Sequence, residues 1–428
     1  MISFFLILFI IGILIGIPVV FVLSGTAVII MLWQGIFNPI TVGHNMYSGL
    51  DSFPYLAIPF FMLAGSLMEE AKITKRLMDF AYVIVGRLSG GLAHVAIIMA
   101  MMFAAMSGSA VATAAAVAAM LLPAMEARGY KKSFSAALVA SGGAIGPIIP
   151  PSIPMIVFAT IAGVSVERMF LAGLMPGVLF GVFIMIYAFF VAKKEKIPRE
   201  ESKFSLKIFF IAFKEALLPL LMPAIILGGI FGGIFTATEA AVVSVVYAFI
   251  LGVFVLRTLT IPSIKKALLN AAKSTSIISL ILGSSTVMSW VLTSQRIPQQ
   301  IAAAFLSVST NPTIVLLLVM LLILIMGCFM DALAIIMLLS PIVLVVTNQL
   351  GIDPVFFGVL LTINVCIGAL TPPVGTCLFV AAKIGNVSLT ETSKQIIPIV
   401  LVVLFLLFLC ILFPNIVVGL PNLVLKPR

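Results

Sequence analysis

The sequence predicts an all-α polytopic membrane protein built from two inverted-topology repeats, with two re-entrant hairpins and two broken helices. Three observations predict it. The 428 residues are 63% hydrophobic and only 9% charged, with a mean hydropathy of +1.32, and apolar runs of membrane-crossing length (about 20 residues) recur throughout. Six of the twelve Gly and Pro residues between positions 109 and 176 recur 222 positions later, where chance would give about one. They are Gly129/Gly351, Gly146/Gly368, Gly163/Gly385, Pro150/Pro372, Pro151/Pro373 and Pro176/Pro398. Finally, the loop 127–132 reads ARGYKK, whereas its counterpart 349–354 reads QLGIDP, with one acid and no base. Basic loops stay cytoplasmic, so equivalent places in the two copies lie on opposite sides of the membrane.

The same charge bias orders the elements. Residues 1–33 are apolar, without a basic n-region or a small-residue cleavage site, and are expected to stay as membrane helix. The loops near 36–52, 295–311 and 348–354 are poor in Lys and Arg and are expected outside; the basic stretches 72–87, 128–132, 193–214 and 257–273 are expected inside. Segments 91–106 and 110–125 lie between two basic loops and meet at Ser107-Gly108-Ser109, which predicts a hairpin that enters and leaves on the cytoplasmic side. Segment 134–173 is broken at Gly142-Gly143 and between Gly146 and Pro154, because proline lacks an N–H and clashes with the preceding turn.

Residues 174–192 then return to the cytoplasm, and 193–214 form a charged linker, part loop and part interfacial amphipathic helix. Segments 217–235 and 239–257 go out and back, 262–294 crosses outward, and the uncharged 298–308 connects along the surface. The second hairpin is 312–326 with 331–347, its tip at 327–330; the second broken helix is 355–385, interrupted at 368–375; the last span is 396–418. Both termini are expected outside, against the sign of Lys426 and Arg428. The expected division is 1–90 scaffold and arm helices, 91–173 first transport half, 174–214 last helix and linker, 215–311 second scaffold and arms, 312–395 second transport half, and 396–428 final helix.

Unwound backbone inside a bilayer must face protein, ions or water, because lipid offers it no hydrogen bonds. Carbonyls freed at a break suit a desolvated cation such as Na⁺, and half-helix N-termini suit an anion. Site one is expected to combine the tip 105–109 with 146–152, using Ala105, Ser107, Gly146 and Ile149 for the cation and Ser109 and Ser152 toward the substrate. Site two is expected to combine 327–331 with 368–374, with Gly327, Gly368, Thr371 and Val374 around the cation and Asp331 toward the substrate. Asp331 is the sole charge in IMGCFMDALAIIML, which makes it a functional candidate; it also suits a helix N-cap. Arg296 is the basic residue near the outer end and a candidate for the substrate carboxylate. Glu239 reads as a helix-start residue, and His44 and His94 match no metal spacing. The four cysteines form no C-x-x-C pair and suggest neither disulfide nor zinc. The net charge of +10 sits in short loops, which points to membrane orientation and away from nucleic acid. No base is placed beside Ser107 or Ser109, which argues against a serine hydrolase.

Over nearly its whole length the chain resembles the large membrane subunit, DctM type, of tripartite ATP-independent periplasmic (TRAP) transporters. The stretches that carry the resemblance are SGSAVATAAAVAAMLLPAM, GYKKSFSAALVASGGAIGPIIPPSIPMIVF, GIFTATEAA, GCFMDALAIIMLLSPI and GIDPVFFGVLLTINVCIGALTPPVGTCLFV, with Ala237 standing where the family usually has proline. The resemblance implies an elevator-type scaffold plus transport domain, and uptake of an organic acid driven by two or more Na⁺. It also implies a separate small four-helix membrane subunit, a periplasmic substrate-binding protein, and a place in the bacterial inner membrane among its lipids. A stand-alone sodium- or proton-coupled carboxylate carrier is the alternative; a channel or an intramembrane enzyme is a remote one.

Overall fold

The computed structural model describes residues 2–197 and 205–425, so Met1, Lys426, Arg428 and the middle of the charged linker lie outside the described residues. In the first copy the chain runs through α1 (Ile2–Leu14), α2 (Val19–Trp33), α3 (Pro39–Ser48), α4 (Ala57–Glu70) and α5 (Thr74–Val85). It then forms the hairpin α6 (Gly91–Ser107) and α7 (Ala110–Ala127), the broken pair α8 (Lys132–Gly143) and α9 (Ile153–Ala162), and the long α10 (Val166–Lys194). The second copy has α11 (Leu206–Phe231), α12 (Ala237–Ile250) with a π-helical extension to Val255, α13 (Ile261–Ser294) and α14 (Ile297–Val308). Its hairpin is α15 (Pro312–Gly327) and α16 (Ala332–Gln349), its broken pair α17 (Pro354–Gly368) and α18 (Thr376–Ile384), followed by α19 (Leu389–Leu412) and α20 (Asn415–Val424).

The offset of 222 read from glycines and prolines holds for whole elements. It carries α7 onto α16 at both ends and α8 onto the start of α17. Both Pro-Pro bonds are cis. Among the described residues seven helices are long and apolar enough to cross a membrane, or eight if α3 and α4 count as one bent span. Many large apolar side chains, including Phe190, Leu221, Leu321 and Leu401, point outward, as lipid-facing helices require.

The two copies differ most in their arms. In the second copy α13 runs unbroken for 34 residues, started by a Thr260/Ser263 capping box. In the first, the same stretch is an elbow of 68° between α3 and α4. Gly49 sits in that elbow because α13 presses on it: a Cβ there would lie 2.2 Å from the Thr286 hydroxyl oxygen. The expected loop 36–52 therefore contains helix α3. Its start was marked by Asn38, whose side chain accepts from the Ile40 N–H, and by Pro39 at the first helical position.

Three further boundaries are corrected. α10 starts at Val166, eight residues before the expected 174, because Gly163 turns the chain at φ 66° and Ser165 caps the new helix. α19 likewise starts at Leu389 behind its Ser388 cap, and the expected last span divides at Pro414 into α19 and α20. On the far side of the linker, the amphipathic stretch and the crossing that follows are one helix, α11, capped by Ser205. Glu239 completes a capping box with Thr236 at the start of α12.

The core brings the halves together by exchange. α9 of the first break packs on α16 of the second hairpin, while α18 of the second break packs on α7 and α8. Phe158 and Phe357 meet across the halves with ring centroids 5.9 Å apart. Gly358 leaves room for this, since a Cβ there would lie 2.2 Å from the Phe158 ring. Beside this body, α12 and α13 each pack on α4.

Candidate functional site: a transport cavity between two hairpin tips

Each hairpin tip is clamped onto the break of its own copy. At site one, a Cβ on Gly146 would sit 2.8 Å from the Ser109 carbonyl oxygen, and one on Gly108 would sit 2.5 Å from the Pro151 carbonyl oxygen. At site two, a Cβ on Gly368 would sit 2.6 Å from the Gly327 Cα. Glycine is required here because two backbones touch. The Val374 N–H also donates to the Cys328 carbonyl at 3.2 Å, tying tip to break. The structure thus sets Ser109 against Gly146 and Gly108 against Pro151 in the first copy, and Gly327 against Gly368 and Cys328 against Val374 in the second.

At the second clamp two helix C-terminal ends meet, α15 against α17, and both carry partial negative charge. At the first, the chain after α8 meets the start of α7 at Ser109 and Ala110. Ser107 Oγ lies 3.0 Å from Thr113 Oγ1, and Thr371 Oγ1 donates to the Ile367 carbonyl at 2.8 Å, so both oxygens keep a lone pair. Among the described residues no group of three His, Cys, Asp or Glu side chains could hold a metal. The donors on offer are carbonyls and hydroxyls, which suit a hard cation such as Na⁺ rather than zinc.

Between the clamps lies a cavity of about 100 Å³ that contains both Ser109 and Asp331. Four helix N-termini line it: Ala110 of α7, Ile153 of α9, Ala332 of α16 and Thr376 of α18. Three of these ends carry side-chain caps. Ser109 accepts from the Ala112 N–H at 3.4 Å, Ser152 from the Met155 N–H at 3.2 Å, and Asp331 from the Leu333 N–H at 3.0 Å. Ser152 also donates to the Pro147 carbonyl, locking the first break. The fourth end is capped by Gly375, which at φ 44° offers no side chain. Each end contributes roughly half a positive charge, so four of them oppose the Asp331 carboxylate that lines the same cavity.

Asp331 therefore both caps α16 and faces the cavity. Ser152 is fully buried behind Ile153, and its part is to cap α9. Arg296 is not among the cavity's lining residues; it is exposed at the α13–α14 corner with φ 54°. Sequence reasoning missed Met62 of α4 and Ile278 of α13, which also line the cavity. No local signal marks them, since each is one apolar residue in an apolar helix. It also missed Thr376, although the offset placed it opposite Pro154 in the first copy.

Two inverted copies whose broken helices and hairpin tips meet around one cavity define a membrane protein of transporter architecture. The sequence matches the family described as "Tripartite ATP-independent periplasmic transporter, DctM component" over residues 6–416, and the chain belongs to that family. It is 37% identical to the sialic acid TRAP transporter large permease protein SiaM of Vibrio cholerae, covering 96% of each chain. Against the 2,3-diketo-L-gulonate TRAP transporter large permease protein YiaN of Escherichia coli it is 35% identical, covering 95% of this chain and 96% of that one. The crystal structure of the Alcanivorax borkumensis YdaH transporter shares the fold at a TM-score of 0.63 and 12% identity, over 87% of this chain and 86% of that chain. The protein is a multi-pass inner-membrane transporter component.

Proposed function

We propose that this chain is the large permease of a sodium-driven system that takes up an organic acid. The observation that carries the proposal is the convergence of four helix N-termini on one cavity between two backbone clamps. The positive ends would hold the substrate carboxylate, and the clamps would hold Na⁺ at Ser107, Gly146 and Ile149 on one side and at Gly327, Gly368 and Thr371 on the other. The Vibrio and Escherichia relatives are named for sialic acid and 2,3-diketo-L-gulonate, and both substrates are carboxylates.

Charge balance supports two or more cations. Asp331 and a substrate carboxylate together place two negative charges in a low-dielectric interior, which costs several kcal/mol per uncompensated ion. Two Na⁺ offset them, so only the fully loaded body is free to move. Movement would be of the elevator kind, with the hairpins and broken helices sliding past Met62 and Ile278 on the scaffold. A separate small four-helix subunit and a periplasmic binding protein that delivers the acid complete the proposed system.

The test is substrate uptake into proteoliposomes holding the assembled transporter, with the cognate binding protein outside. Uptake should follow an imposed inward Na⁺ gradient with a Hill coefficient above one. Uptake indifferent to that gradient would remove sodium coupling, and uptake at full rate without any binding protein would favour a stand-alone carrier.

A further inference from the structure

Beside the first clamp, on its cytoplasmic side, lies a second and smaller cavity of about 40 Å³, lined by Ser66 and Glu69 of α4 and by Ser107 and Ser109 of the hairpin tip. α4 is pressed onto that tip at Gly65, where a Cβ would lie 3.2 Å from the Ser107 Cα and 3.3 Å from the Met106 carbonyl oxygen. One turn beyond Gly65, α4 presents Glu69 to the cavity. Its neighbour Glu70 is engaged elsewhere, with its carboxylate 2.7 Å from Lys266 Nζ. α4 ends just before the basic stretch that starts at Lys72, so the cavity faces the cytoplasmic end of the helix.

The second copy is apolar at the α4-side positions of this chamber. At the offset of 222, Ser66 corresponds to Met288, Glu69 to Val291 and Ser107 to Phe329. Met288 and Val291 are both buried among apolar neighbours. The scaffold side of this place is therefore polar in the first copy and apolar in the second, while the tip position Ser109 becomes Asp331.

We propose that the chamber of Ser66, Glu69 and Ser107 is the cytoplasmic exit for the cation of the first clamp, with Glu69 as the residue that draws the ion out. The inference rests on the sodium reading above and adds a route to it. A cation leaving the Ser107 clamp must shed carbonyl ligands before water can replace them. A carboxylate one helical turn beyond the contact, flanked by hydroxyls and exposed at its outer side, supplies the next oxygen ligands and leads toward water. Glu69 therefore sets the rate of this release.

The two modes of transport separate this role from a packing role. Net uptake requires Na⁺ to leave to the inside; exchange of internal for external substrate, with saturating Na⁺ on both sides, does not. In proteoliposomes of the assembled transporter, Glu69→Gln should slow net Na⁺-driven uptake about ten-fold and leave exchange at the wild-type rate. Glu70→Gln should leave the ratio of net uptake to exchange as in wild type. Equal losses in both modes, or unchanged net uptake, would overturn the proposal. Ser66→Ala gives an independent reading should Glu69→Gln fail to insert: it should lower the same ratio, and an unchanged ratio would count against the exit. A wild-type transporter that ignores the Na⁺ gradient would instead refute sodium coupling itself, so the two failures are distinguishable.

Discussion

At the first hairpin tip the Ser107 hydroxyl reaches Thr113 at 3.0 Å, Ser109 caps the outgoing helix, and the Ser152 hydroxyl locks the break. At the second tip a backbone bond from the Val374 N–H to the Cys328 carbonyl does the locking, Asp331 is the cap, and α18 starts from a bare glycine. The backbone device is the same in both: glycine against a facing backbone, followed by a Pro-Pro break. What varies is where side-chain oxygen and charge are placed. The first copy spreads neutral hydroxyls around its clamp, and the second concentrates one full negative charge on the cavity. The difference teaches that the duplicated backbone builds the two clamps, while the unmatched side chains make their surroundings chemically unequal.

The largest effect should come from the clamps themselves. Gly368→Ala puts a methyl 2.6 Å from the Gly327 Cα, and Gly146→Ala puts one 2.8 Å from the Ser109 carbonyl oxygen. Backbone cannot yield as a flexible side chain can, so both variants should abolish uptake in proteoliposomes while still inserting. Retained uptake in either one would mean that its clamp is not needed closed, which breaks the equivalence of the two sites.

The next effect divides charge from capping. Asp331→Asn keeps an N-cap acceptor but removes the charge, and it should cut uptake on the order of 100-fold, about 2.7 kcal/mol of lost stabilisation. Ser109→Ala removes a neutral hydroxyl and should cost about ten-fold, near 1.4 kcal/mol. Equal losses in the two would show that Asp331 matters only as a cap. A smaller effect belongs to stability. Ser152→Ala loses the α9 cap, worth about 1 kcal/mol, and should lower the melting temperature of the purified protein without altering Na⁺ stoichiometry. A change in stoichiometry would place the Ser152 hydroxyl on the cation rather than on the break.

Much of this fold is legible in the sequence because a bilayer leaves few choices. Apolar length and loop charge fix the crossings, and the recurrence of Gly and Pro fixes the repeat down to matching ends of α7 and α16. Hydropathy failed where elements are polar or contiguous. It passed over α3, whose Asn38-Pro39 start is a capping signal rather than an apolar run, and it cut α10 late because Gly163 and Ser165 sit inside an apolar stretch. Ser109 and Asp331 were legible as unmatched partners at one repeat position; Arg296 was singled out by charge and proximity in sequence, and lies away from the cavity.

By itself, then, the sequence determined the duplication, its inversion and the glycines at each break, because each follows from local backbone chemistry repeated at a fixed offset. Only the tertiary structure decided that α9 and α18 cross over to the opposite halves. That exchange brings four positive helix ends into one cavity. It also sets Met62, Ile278 and Glu69 of the scaffold against the cavities. Contacts between segments hundreds of residues apart depend on how whole helices pack, and no residue pattern within one helix encodes them.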